Sequence, residues 1–214
     1  MTLRLGLIGR GHWGRNIERT LRSFDDVAVI PIGRNEQRPS SLDGVLIATP
    51  SDTHAELALP YIADGIPTFI EKPMATSVLD AERIREIALR SGALVTVGHI
   101  HLHNPAFRAL LATLPSIGPV QSLDFETMNF LPRTDGSILW DWLPHHLSVA
   151  QAILGRSPSN VSVRPLDNAP VSQAASVSFM FGDVPLQSTI SWISPARRQL
   201  LAVQGRSGKL LFDD

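Results

Sequence analysis

The chain contains no cysteine, which removes disulfides, cysteine-ligated zinc and thiol nucleophiles from its available chemistry. It has no excess of either charge: 19 Lys and Arg oppose 20 Asp and Glu, for a formal net charge of −1. Nothing in that balance points to a nucleic acid or a membrane surface as partner. No apolar run approaches the roughly eighteen residues that a membrane helix needs. The opening MTLRLGLIGRG enters a glycine-punctuated strand, wrongly flanked for a signal peptide, so a cytoplasmic location is expected. Fixed-period repeats and low-complexity tracts are also absent. Lysine is scarce, with two against seventeen arginines. One of the two stands in FIEKPM, residues 69–74, and its rarity singles it out. A guanidinium keeps its proton in a protein, whereas a partly buried ammonium can be tuned to release one.

What is present is 214 residues, 43% hydrophobic and 18% charged, the profile of a globular protein with a substantial core. The first half alternates strand and helix. LRLGLIG, VAVIPI, GVLIAT, PTFIE and ALVTVG are short apolar runs of the kind found in buried parallel strands. HWGRNIERTLRSF, a segment from about Asp52 to Ala63, and VLDAERIREIALRS read as the intervening helices. The connection over residues 33–43 has a proline and no apolar face, so a loop is expected there in place of a crossover helix. This rhythm predicts an α/β architecture with an N-terminal Rossmann-type parallel sheet.

GRGHWG places Gly9, Gly11 and Gly14 in a G-x-G-x-x-G pattern between the first strand and first helix. Gly9 permits the tight turn, Gly11 lets backbone approach a pyrophosphate, and Gly14 allows close packing of helix on strand. The helix N-terminus supplies N–H groups for the phosphates. His12 and Trp13, within the loop, are expected to cover a dinucleotide cofactor. The acid that commonly ends the second strand and binds the ribose 2′-OH is missing. Arg34 follows instead, which fits a 2′-phosphate and slightly favours NADP over NAD; stacking on adenine or a place in solvent is the alternative for that side chain. Ser51 or Asp52 is a candidate cap for the second helix. Ligands of open α/β sheets lie beyond the C-terminal strand ends, which puts Thr49, Pro50 and His54 beside the cofactor and Glu71 and Lys72 at the next strand end. An amine there can polarise a carbonyl oxygen or exchange its proton as hydride moves.

The second half is strand-rich. PVQSLDFETMNF, SNVSVRPL, AASVSFMF, VPLQSTISWI, RQLLAVQG and KLLFDD predict an open, mostly antiparallel sheet in a C-terminal α+β domain, with helices on one face. Alternating apolar residues on both faces of QLLAVQG and VSFMF predict a homodimer or higher homo-oligomer through the other face. The boundary is placed between residues 1–118, a dinucleotide-binding domain, and 119–214, a substrate and dimerisation domain. GSILWDWLPHHLSVAQAILG reads as a loop running into a helix, with Pro144 near its first turn. Asp141 and His145, four apart, share a face there; an Asp can orient an imidazole, although such a pair is commonly structural. His99, His101 and His103 alternate along GHIHLH as they would on one face of a strand. No carboxylate or cysteine accompanies them, so no metal site is expected.

GLIGRGHWG, IATPSDTHAELA, FIEKPMATSVLDAERI, LVTVGHIHLHNPAF and IGPV occur in an order that resembles the Gfo/Idh/MocA family of NAD(P)-dependent sugar oxidoreductases. The resemblance implies a Rossmann domain followed by an α+β domain, and a catalytic Lys72 whose loop Glu71 and Pro73 shape. Asp141 and His145 match the family's catalytic D-x-x-x-H, whose spacing selects His145 over His146, and W-D-W-L-P-H resembles members near nucleotide-sugar metabolism. It further implies a sugar or nucleotide-sugar substrate, with His99 and His103 lining the pocket. The family's R-F-x-P reads L-H-N-P here, so its arginine contact does not carry over. Many relatives continue beyond GKLLFDD, which marks a compact or trimmed member. A non-catalytic dinucleotide-binding protein of the same fold is the alternative; the joint presence of Lys72, Asp141 and His145 favours the enzyme.

Overall fold

The structure, a computed structural model, describes residues 2–33, 36–133 and 136–213. The chain divides into two compact units, Met1–Gly98 and His99–Asp214. The division falls before residue 118, where the sequence reading put it. Residues 99–118 supply Phe107, Leu110 and Ile117 to the core of the second unit, and that apolar burial draws the segment into it.

The first unit runs β1 (Leu3–Ile8), α1 (His12–Leu21), β2 (Val27–Ile32), β3 (Gly44–Ile47), α2 (His54–Ala63), β4 (Thr68–Ile70), α3 (Val78–Ser91) and β5 (Val95–Val97). Its five strands are all parallel, in the order β2-β1-β3-β4-β5. No helix is found between β2 and β3 among the described residues, in keeping with a connection that has no apolar face. The core holds Ile8, Val45, Ile47, Ile62, Ile70 and Ile84, strand and helix residues that pack together. Ser77 caps α3 by accepting from the Asp80 N–H at 3.1 Å, and Gly92 ends it at φ 72°, in the left-handed region. A 3-10 turn over Ser51–Thr53 precedes α2, so Thr53, rather than Ser51 or Asp52, holds the cap position.

The second unit runs α4 (Pro105–Thr113), β6 (Val120–Phe130), α5 (Ile138–Leu154), β7 (Ser159–Pro165), β8 (Ala174–Phe181), β9 (Val184–Ser191), β10 (Ile193–Gly205) and β11 (Lys209–Asp213). The sheet order is β11-β10-β6-β9-β8-β7, antiparallel except where β6 lies parallel to β9. Leu123 and Phe125, Val177 and Phe179, Leu186 and Ile190 alternate into the core shared with α4 and α5. The opposite face is mixed. β8 presents Ser176, Ser178 and Met180 there, Ser176 accepts from Gln187 at 2.7 Å, and Arg198 pairs with Glu126 at 2.9 Å. The apolar pattern predicted for both faces of VSFMF therefore holds on one face only. Pro144 lies well inside α5, not in its first turn, because the helix begins at Ile138; its missing N–H costs the bond that residue 140 would accept.

Candidate functional site

The strand order of the first sheet reverses between β1 and β3, and the crevice at such a switch point is where open α/β sheets bind ligands. The glycine turn is built for it. Gly9 has φ 109°, and a Cβ on it would lie 2.2 Å from the Ala48 carbonyl oxygen after β3. A Cβ on Gly14 would lie 2.0 Å from the Gly9 oxygen, so α1 can approach β1 only with glycine there. At Gly11 an added Cβ would meet nothing within 4 Å. That open space sits at the N-terminus of α1, which has no side-chain cap and no acid in its first turn. The first helical bond runs from Arg15 N–H to the Gly11 carbonyl at 3.1 Å, leaving the preceding N–H groups directed out of the helix end. These features fit a dinucleotide diphosphate. His12 bonds Asn16 at 3.3 Å and meets Trp13 edge-on, and Trp13 is half exposed. Arg34 lies outside the described residues.

Two loops follow at the C-terminal ends of β3 and β4, and one side chain ties them together. His54, 1% exposed, places Nε2 2.8 Å from the Thr49 carbonyl oxygen and Nδ1 2.8 Å from the Pro73 carbonyl oxygen. It was expected beside the cofactor as a contact; both ring nitrogens are instead taken up by backbone. Thr53 Oγ1 adds bonds to Thr49 Oγ1 and to the Pro50 carbonyl. Lys72 stands on the second loop, and its peptide bond to Pro73 is cis. Glu71 is buried, and its carboxylate accepts from the Lys72 backbone N–H at 3.2 Å. Burial pushes the Glu71 carboxyl above the ordinary carboxylate value, offset in part by that bond and by the Lys72 and His54 charges. Gly98 makes room for it, since a Cβ there would lie 3.0 Å from the carboxylate.

In the second unit α5 carries Asp141 and, one turn on, His145. Asp141 Oδ2 accepts from Trp192 Nε1 at 3.3 Å and lies 3.8 Å from Arg133. The Arg133 guanidinium also sits over the Trp192 ring, 5.3 Å from its centre. His145 is 7% exposed, and its ring meets His101 edge-on at 4.7 Å. His101 is in turn 3.3 Å from the Gln199 amide. Residues 100–103 form a 3-10 helix and not the predicted strand, so the three histidines diverge. His103 is exposed and meets Arg108 at 3.4 Å. His99 is largely buried, and burial lowers its pKa. His101, passed over in favour of its two neighbours, is thus the one that faces His145. His146 is fully packed. Its nitrogens lie 2.8 Å from Thr127 Oγ1 and 2.8 Å from Ser188 Oγ, its ring stacks on Phe125, and burial pushes its pKa down to about 3. Among the described residues no cluster of three or more His, Cys, Asp or Glu is arranged to hold a metal, and no helix is long and apolar enough to cross a membrane.

The fold and the glycine turn define a nucleotide-binding α/β unit joined to an open-sheet α+β unit. A family model described as the oxidoreductase family with an NAD-binding Rossmann fold, Gfo/Idh/MocA, matches residues 23–99. The whole chain superposes on a crystal structure from Magnetospirillum magnetotacticum MS-1, assigned as an oxidoreductase, with a TM-score of 0.91 and 31% identity, covering 78% of that chain. The protein belongs to the Gfo/Idh/MocA family. It is 25% identical over 195 residues to the inositol 2-dehydrogenase of Rhizobium meliloti strain 1021, covering 76% of this chain and 58% of that one. It is 26% identical over 196 residues to the UDP-N-acetylglucosamine 3-dehydrogenase of Acidithiobacillus ferrooxidans, covering 82% and 61%. The chain therefore spans less than two thirds of the length of these curated relatives.

Proposed function

We propose that this protein transfers a hydride between a nicotinamide dinucleotide and a secondary alcohol or ketone of a sugar, polyol or nucleotide sugar. The observation that carries the reading is the site at the β3 and β4 strand ends. There one of the chain's two lysines, set among seventeen arginines, occupies a loop braced to the neighbouring cofactor loop. When bound, the nicotinamide supplies the hydride acceptor or donor. Gly11 and the N-terminus of α1 would hold the diphosphate, with His12, Trp13, Thr49 and Pro50 as the other cofactor-binding residues. NADP is preferred if Arg34 meets a 2′-phosphate. Lys72 holds its ammonium toward the substrate oxygen and stabilises negative charge as the carbinol loses hydride. His145 takes the hydroxyl proton, or returns it in the reverse direction, and Asp141 supports the cationic imidazole. His99 and His103 are substrate-side residues in this scheme, and His101 joins them on the strength of its contact with the His145 ring.

The two curated relatives set the substrate panel: inositols and UDP-N-acetylhexosamines, with keto-sugars for the reverse direction. Incubation with NAD or NADP and this panel, followed by absorbance of the reduced nicotinamide, tests the reading directly. Turnover that Lys72→Met and His145→Ala remove, with dinucleotide binding retained, supports it. Dinucleotide binding without turnover on any member of the panel overturns it. The oligomer is proposed to be a homodimer through the outer face of the second sheet, where Met128, Leu200 and Leu211 supply apolar area; light scattering measures its mass.

A further inference from the structure

Both ring nitrogens of His54 face backbone carbonyl oxygens at 2.8 Å, and a carbonyl oxygen can only accept. A neutral imidazole has one N–H, so either tautomer would aim a lone pair at the second oxygen. At 1% exposure no solvent can relieve that repulsion. We infer that His54 is held as an imidazolium, donating from both nitrogens, and that it acts as a positioning residue clamping the cofactor loop at Thr49 to the lysine loop at Pro73. His54 opens α2, and the positive end of that helix opposes a cation there. Two charge-assisted hydrogen bonds act in the other direction. So does Glu71, a buried carboxylate that feels the His54 charge as well as that of Lys72. The exposed acids on the same stretch, Asp52 and Glu56, add negative charge from the solvent side.

The consequence is mechanical. Thr49 and Pro73 follow different strands, and the His54 ring bridges their backbone carbonyls. With the clamp closed, the lysine next to Pro73 keeps a fixed height above the strand ends. The clamp itself stands on geometry alone; its effect on catalysis rests on the hydride-transfer reading.

Nitrogen-15 NMR of the full chain labelled at histidine tests the inference. At neutral pH the expected result is one histidine, assigned by sequential connectivity to position 54, with both ring nitrogens in the protonated range. A bare ring nitrogen at that position would overturn the proposal. In the second arm His54→Gln keeps one N–H donor but sets an oxygen against the other carbonyl. Turnover is expected to fall by about tenfold to a hundredfold, the scale of a small misplacement, with dinucleotide affinity changing far less. Unchanged turnover overturns the positioning role. If no substrate in the panel turns over, the hydride-transfer reading fails, while the NMR result still decides the clamp.

Discussion

Each unit buries a histidine with both ring nitrogens in hydrogen bonds, and the partners of each ring call for a different proton count. His146 meets two hydroxyls, which can donate or accept, so a neutral ring satisfies both and burial keeps it neutral. His54 meets two carbonyls, which only accept, and needs two protons. Burial alone therefore does not set the charge of an interior histidine; the chemistry of its partners does. The contrast extends to how each unit holds its own candidate residues. The first relies on backbone groups, namely the glycine turn and two carbonyls. The second relies on side chains distant in sequence: Thr127 on β6, Ser188 on β9 and Trp192 between β9 and β10.

The largest expected effect sharpens the role of the backbone-built unit. Lys72→Met should reduce turnover by about a hundredfold to ten-thousandfold, the usual scale of a proton-transferring or charge-stabilising group, while a fluorescence titration still shows dinucleotide binding. Two glycine substitutions come next and separate fold from binding. Gly14→Ala forces a Cβ to 2.0 Å from a backbone oxygen and should cost several kcal/mol, read by chemical denaturation. Gly11→Ala meets nothing within 4 Å, so stability should change by less than about 1 kcal/mol while dinucleotide affinity is lost. Equal destabilisation by both would break the assignment of the open space to a diphosphate.

The side-chain-built unit is tested by acid. The His146 pKa is lowered from 6.5 to about 3, so below 6.5 the unfolded chain takes up a proton that the folded one refuses. Its contribution is complete above 6.5 and is lost as pH falls toward 3, at up to about 1.4 kcal/mol per pH unit. His146→Gln, which can still exchange hydrogen bonds with the two hydroxyls, should flatten that slope in denaturation series run at successive pH values. The smallest effect is expected at His101. Removing its ring by His101→Ala should lower turnover by no more than about tenfold, through loosened packing of His145.

Local patterns were legible before the structure. The glycine spacing, the parallel strand runs and the E-K-P lysine at a strand end all lie within a few residues of sequence, and their conformational demands are local. The misreading of GHIHLH has a physical cause. Period-two alternation over a few residues does not distinguish a strand from a tight turn, and β5 ends at Val97 with Asn104 already capping α4. A strand would have kept the three rings on one face, whereas the turn sets His101 alone against the His145 ring. The contacts that give the second unit its character join residues far apart: Thr127 to His146, His146 to Ser188, and Asp141 to Trp192, 51 residues away. No spacing rule reaches across such distances. The charge of His54 was equally hidden, because it depends on which backbone groups the fold brings to its ring.

The most direct measurement is transfer of label from a carbinol carbon to the cofactor. Wild-type protein, given an oxidised dinucleotide and a panel of carbon-deuterated polyols and nucleotide sugars, should place deuterium on the nicotinamide, and Lys72→Met and His145→Ala should not. A dinucleotide that binds at the glycine turn yet gains no deuterium from any of them would contradict the account.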